Sequence, residues 1–217
     1  MNAIVSWSGG KDSCLACYKA IKAGFEPKYL FNTISSEYNR SMFHGVRSNL
    51  LRLQAKSLAI PMIQKPVNER NYEFEFVNAF KKAKKEGIDY GVFGDIFLVN
   101  GRKWVEKACK KAGIKPVFPL WEIKSEKIID KFISAGFKSI VVSANSKFFD
   151  KDFIGKDIDE DFIKDLKGIK EVDPCGENGE FHTFVYDGPI FKSKVRFRKG
   201  KKILRPSKYW FLDIKKW

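Results

Sequence analysis

Apolar and polar positions along this 217-residue chain fall into blocks that switch between two periods. Ala3-Ile4-Val5-Ser6-Trp7 is a short apolar run of the kind shown by a strand buried on both faces. From Ser13 to Ala23 apolar positions recur at helical spacing and stop at Gly24, which suits a C-terminal cap. The switch then repeats. Lys28 to Ile34 reads as a second strand, and Val46 to Ala59 as a helix with Val46, Leu50, Leu53 and Leu58 on one face. Ile60 to Ile63 starts a short strand, and Asn71 to Gly87 is an amphipathic helix carrying Phe74, Val77 and Phe80. Tyr90 to Phe93 is the next strand and Asn100 to Gly113 the next helix. Strands alternating with helices at this interval predict an α/β unit with a parallel, doubly wound sheet.

The texture changes near Pro116-Val117-Phe118-Pro119-Leu120-Trp121, which sets a boundary between an N-terminal domain, 1–115, and a smaller C-terminal domain, 116–217. A helix (Ser125 to Gly136), a strand (Ser139 to Val142) and an acidic helical stretch (Asp157 to Leu166) follow. Glu180 to Tyr186, Lys194 to Lys199 and Ile203 to Ile214 read as strands, with turns at Asp187-Gly188-Pro189 and Lys199-Gly200-Lys201. The second domain is therefore expected to be α+β and to end in antiparallel strands.

Composition, at 44% hydrophobic and 31% charged, is that of an ordinary globular chain. The longest run free of charged residues, Met1 to Gly10, is too short to span a bilayer and lacks the basic start of a signal peptide. A cytoplasmic protein with no membrane association is expected. Cys14, Cys17, Cys109 and Cys175 suit a reducing compartment and give no disulfide framework. Cys14 and Cys17 have the spacing of a zinc or redox pair, but they fall inside the first helix with no second pair, so core packing is the better reading. The net charge of +15 comes mostly from the stretch after Phe191, where eleven basic residues accompany one acid. In Lys192 to Arg198 the basic residues alternate, which on a strand would put them on one face. Such a face could meet RNA, an acidic protein or only water.

Two polar stretches carry candidate chemistry. Ser8-Gly9-Gly10-Lys11-Asp12-Ser13 lies between the first strand and the first helix, with Ser6 just before it. Outward-pointing N–H groups and the helix dipole make such a start an anion site. The glycine pair lets the backbone curl around an oxyanion, Ser8 and Ser13 add hydroxyls, Lys11 adds a positive charge, and Asp12 could hold magnesium through water. The expected ligand is a polyphosphate. The spacing is not that of a Walker-type loop; an ordinary glycine turn and helix cap is the plain alternative. The second stretch, Asp173 to Thr183, sets Glu177 and Glu180 three residues apart around Gly179, with Asn178 between them and His182 after them. It could bind an ammonium ion, deprotonate it or hold magnesium, or be a solvated turn.

Ser-Gly-Gly-Lys-Asp-Ser after the first strand resembles the PP-loop of the ATP pyrophosphatase superfamily, whose members cleave ATP between the α and β phosphates. That loop, Gly94-Asp95-Ile96 after a mid-chain strand, Pro119-Leu120-Trp121, and Gly176-Glu177-Asn178-Gly179-Glu180-Phe181-His182-Thr183 occur in this order. Together, over about residues 1 to 190, they resemble the diphthine–ammonia ligase (diphthamide synthetase) family; the basic tail lies largely outside the match. The resemblance implies a Rossmann-like PP-loop ATPase domain that binds ATP and Mg2+. The implied ATP-binding residues are Ser6, Ser8, Gly9, Gly10, Lys11, Asp12, Ser13, Gly94 and Asp95. It implies adenylation of the carboxylate of diphthine on elongation factor two, followed by amide formation with ammonia. Lys11, Asp12, Glu177 and Glu180 would be catalytic, Asp12 the magnesium ligand, and His44, Asn178, Glu180 and His182 would contact substrate or ammonia. Either glutamate could take the proton of ammonium; the sequence does not rank them. The chain has no room for a glutaminase domain, so free ammonium or a separate partner is expected to supply nitrogen. Two other readings stand beside this one: a PP-loop enzyme that adenylates tRNA for base modification, which the basic tail would suit, and a nucleotide-binding module without catalysis.

Overall fold

A run of small and β-branched residues that can be buried on both sides forms the centre of the molecule. The computed structural model describes residues 1–42 and 44–217. Its N-terminal half runs β1 (Asn2–Ser6), α1 (Lys11–Lys22), β2 (Glu26–Ser35), α2 (Ser48–Leu58), β3 (Met62–Val67), α3 (Tyr72–Lys85), β4 (Tyr90–Val92), α4 (Val99–Ala112) and β5 (Lys115–Val117). These five strands pair in parallel in the order β3-β2-β1-β4-β5. Ala3 and Val5 on β1 enter one apolar cluster and Ile4 enters the other, so the alternation of a strand supplies both faces of the sheet. Edge strand β3 carries Pro66, whose missing N–H is tolerated at an edge.

The C-terminal half continues with α5 (Ser125–Ser134), β6 (Lys138–Asn145), α6 (Glu160–Lys167), β7 (Phe181–Asp187), β8 (Phe197–Leu204) and β9 (Tyr209–Lys216). Its sheet is antiparallel, in the order β7-β6-β9-β8. The doubly wound parallel sheet and the smaller antiparallel unit agree with the expectation from sequence. The two halves share a core: α1 residues Cys14, Leu15 and Cys17 belong to the same apolar cluster as Phe137, Phe184 and Val185. Among the described residues no helix is long and apolar enough to cross a membrane.

Several local expectations are corrected. Helix α1 starts at Lys11 rather than Ser13, because Gly10 takes extended backbone angles and caps it; Lys11 and Asp12 thus enter its first turn. Phe74 is 65% exposed, and the buried face of α3 is Phe76, Val77, Phe80 and Ala83. Lys199-Gly200-Lys201 is not a turn. It lies within β8, where pairing with β9 slips between Lys199 and Lys202, and the backbone of Asp213 passes too close to Gly200 for a side chain. The chain reverses at Arg205 to Lys208 instead, where the Lys208 N–H donates to the Arg205 carbonyl at 2.9 Å. Lys192 to Arg196 is not strand either. The Lys192 N–H goes to the Ser57 carbonyl (2.7 Å) and the Val195 N–H to the Tyr186 carbonyl (2.8 Å), which ties this stretch to two different elements. The predicted loop from Ser35 to Gly45 includes residue 43, outside the described residues; its Arg40, with Arg47 beyond it, grips Asp213 of β9.

One side chain that the sequence reading passed over ties the halves together. Gln54, fully buried on the apolar face of α2, accepts from Trp7 Nε1 (3.0 Å) and donates to the carbonyls of Gly9 (2.9 Å) and Val185 (2.6 Å). Gln54→Leu keeps the volume but strips three buried groups of this partner. The expected loss is about 3 kcal/mol of unfolding free energy in a urea titration.

Candidate active site

Order in the first sheet reverses between β1 and β4, and open α/β sheets bind ligands in the crevice at that point. The loop after β1 carries Ser8 to Gly10 and leads into Lys11 and Asp12 in the first turn of α1, and the loop after β4 carries Gly94 and Asp95. A cleft of about 300 Å³ opens there. Ser6, Ser8, Lys11, Asp12 and Ser13 line one side of it, with Gly94 and Asp95. His44, Glu177, His182 and Thr183 line the other. The two polar stretches, more than a hundred and fifty residues apart in sequence, therefore face each other across one cavity.

The glycines owe their place mainly to protein contacts. Gly9 has φ +81°, and a Cβ on it would sit 2.5 Å from Leu51 Cδ2 and 2.6 Å from Gln54 Oε1. A Cβ on Gly10 would strike the His44 ring, and one on Gly94 would lie 2.9 Å from the Asp12 carbonyl carbon. These positions let α2, the His44 loop and the β4 loop close on the start of α1. The C-terminal half completes the loop's bonding. Thr183 Oγ1 accepts from the Lys11 N–H at 3.0 Å, and the Val185 N–H donates to the Gly9 carbonyl at 3.0 Å. His44 Nδ1 lies 2.8 Å from the Thr183 carbonyl. Ser8 and Ser13 are joined through their hydroxyls at 3.1 Å.

Charge in the cleft is concentrated and buried. Lys11, 2% exposed, donates to Asp12 Oδ2 at 2.9 Å and to the Cys175 carbonyl. Burial opposes its charge, but the carboxylate of Asp12 leads the opposing contributions, and the ammonium is held above its ordinary pKa. Asp12 Oδ1 is buried with no hydrogen-bond partner among the described residues. An anionic oxygen without a donor suits a cation, so the residue fits the magnesium role expected of it. Among the described residues, no three His, Cys, Asp or Glu side chains converge as a metal cage; a magnesium ion here would draw its remaining ligands from phosphate and water.

The two glutamates, equivalent in sequence, separate here. Glu180 is buried and accepts from the N–H groups of Asp173 (2.9 Å) and Asn178 (3.0 Å) and from Asn178 Nδ2 (3.2 Å), so it braces the turn and does not line the cleft. Asn178 is outside the cleft as well. Glu177 lines it and accepts from the Ile96 N–H at 3.2 Å. Burial, then Asp12 and more weakly Asp95, push the Glu177 carboxyl up to about 7, against the pull of the Ile96 N–H and Lys11. Asp95 is raised by burial. His44 is lowered by burial, and His182 is lowered further by burial, His44 and Lys11; the two rings sit 4.7 Å apart. Cys175, beside the cleft, is buried, its thiol pushed up by burial and donated to the Ser125 carbonyl. Cys14 and Cys17 are buried in the core, as their place in the helix suggests.

Sequence reasoning missed Gln54 and the clasp made by Thr183. Gln54 left a signal: it falls four residues after Leu50 and four before Leu58, in the middle of an apolar stripe.

Strand, glycine pair and helix start at the switch point of a parallel sheet make this a nucleotide-binding domain of the PP-loop ATPase class. Residues 1–116 match the family model for the diphthamide synthase N-terminal domain, and residues 124–217 match that for the diphthamide synthase C-terminal domain. The chain belongs to the diphthamide synthase family. A diphthine–ammonia ligase of Homo sapiens is 28% identical over 215 residues, covering 87% of this chain and 79% of that protein. The diphthine–ammonia ligase of Bos taurus is 27% identical with the same coverage. That of Schizosaccharomyces pombe is 25% identical, covering 87% of this chain and 34% of that longer protein. Among solved structures, a predicted subunit of tRNA methyltransferase from Methanocaldococcus jannaschii is 16% identical with a TM-score of 0.47, covering 90% of this chain and all of that one.

Proposed function

We propose that the chain is an ATP-dependent carboxylate–ammonia ligase that forms AMP and pyrophosphate, and that its substrate is diphthine on elongation factor two. The observation that supports this best is Glu177, poised near neutrality in the same cleft as Lys11 and Asp12. A carboxylate resists ammonia because its leaving group would be oxide. In the first step a substrate carboxylate oxygen attacks the α-phosphorus of ATP, the α–β bond breaks, and pyrophosphate departs. Lys11 and the N–H groups at the start of α1 offset the charge that builds on the phosphates. Magnesium held by Asp12 would neutralise further phosphate charge when bound. Ammonium is no nucleophile until it loses a proton, and a carboxylate with a pKa near 7 is matched to taking it. The freed ammonia attacks the acyl carbon, AMP leaves, and a second proton is lost as the amide forms.

The reading is tested by mixing the chain with ATP, magnesium and diphthine-bearing elongation factor two without ammonium. An acyl-adenylate and pyrophosphate are expected, and later ammonium should convert the adenylate to amide and AMP. Formation of ADP and phosphate instead would overturn the reading, and pyrophosphate release that needs tRNA in place of the elongation factor would favour RNA adenylation.

A further inference from the structure

A second cavity, of about 750 Å³, adjoins the phosphate cleft and shares Glu177 and His182 with it as a common wall. Its other side is apolar and aromatic, formed by Met42, Leu98, Tyr209 and Phe211. The Tyr209 and Phe211 rings have centroids 6.4 Å apart and planes inclined at 40°. Both are fixed: Tyr209 donates its hydroxyl to the Gly179 carbonyl at 2.8 Å, and Phe211 lies so close over Gly45 that a Cβ there would be 2.8 Å from its ring. In a chain with 41 lysines and arginines, none lines this cavity among the described residues, and its one ionisable acid is Glu177. The imidazole in the shared wall is kept neutral by burial. Aromatic faces, one carboxylate and no competing cation suit a weakly hydrated positive charge.

We propose that this cavity is the subsite for a quaternary ammonium group, with Tyr209 and Phe211 as its specificity-determining faces. The proposal rests on the ligase reading above, because diphthine carries its carboxylate and a trimethylammonium on the same carbon. A carboxylate placed over the phosphate loop puts that cation two bonds from its carboxyl carbon, within reach of the Glu177–His182 edge that the two cavities share. The subsite would then choose a fully methylated amine over its unmethylated counterpart before adenylation is committed.

The test compares equilibrium binding of glycine betaine with that of 3,3-dimethylbutanoate, which has the same shape and carboxylate but carbon in place of the charged nitrogen. Betaine should bind about tenfold more tightly. Tyr209→Leu and Phe211→Leu should each remove most of that preference while leaving 3,3-dimethylbutanoate unaffected. Tyr209→Phe, which keeps the ring but loses the bond to Gly179, should retain it, so a folding defect is told apart from a lost face. Equal binding of the two probes, binding of neither, or an undiminished preference in both leucine variants would overturn the proposal. Failure of the ligase reading would show separately, as absence of AMP in the adenylation assay whatever betaine does.

Discussion

Replacing Glu177 with glutamine is expected to slow amide formation by about 10²- to 10⁴-fold while the acyl-adenylate still forms. The substitution keeps the side chain's size and an acceptor for the Ile96 N–H, and removes only the group that can take a proton. Single-turnover experiments should therefore show adenylate accumulating in the presence of ammonium. In the unaltered protein the amide-forming step should rise with pH through about 7 as Glu177 ionises, then level off; in the variant that inflection should vanish. Stability supplies an independent sign. A carboxyl whose folded pKa lies above its ordinary 4.5 binds protons more tightly when folded, so it lowers stability progressively as pH climbs from that value to about 7. Glu177→Gln should accordingly melt higher than the parent at pH 8 and level with it at pH 4. A variant that is less active and more stable is the pattern of a catalytic group held in an unfavourable place. Equal loss of adenylate and amide would instead assign Glu177 to nucleotide binding.

Lys11→Met is the second large effect, and it acts on the earlier step. Pyrophosphate release should fall by about 10²- to 10³-fold, the usual consequence of removing one preorganised charge from a developing anion. The lost ammonium also leaves Asp12 without its partner, close to Glu177. A cost of about 3 kcal/mol in urea denaturation is expected from that broken pair. The double variant Lys11→Met, Asp12→Asn separates the two consequences: it should recover most of the stability and none of the rate. Recovery of rate as well would mean that Lys11 serves the fold and not the phosphates.

Much of the first half was legible because its elements are written in local periods. The run from Ala3 to Trp7 and the apolar spacing from Cys14 to Ala20 need no knowledge of the rest of the chain, and the phosphate loop between them is a contiguous motif. What could not be read depends on partners far away in sequence. Glu177 and Glu180 look alike until Asp173 and Asn178 are seen to occupy one of them. Gly200 resembles a turn glycine until the backbone of Asp213 is found against it. The basic residues before Phe197 alternate as a strand would, yet the N–H groups of Lys192 and Val195 go to carbonyls on different elements. Tyr209 and Phe211 read only as strand residues; their value lies in the wall they share with a loop more than thirty positions earlier.

The clasp between Thr183, Val185 and the turn at Gly9 to Lys11 governs how turnover can proceed. Swinging the halves apart about a hinge would tear those bonds and dismantle the turn proposed to hold the triphosphate. Nucleotide and products are therefore expected to enter and leave at the rim of the cleft, with the clasp kept shut.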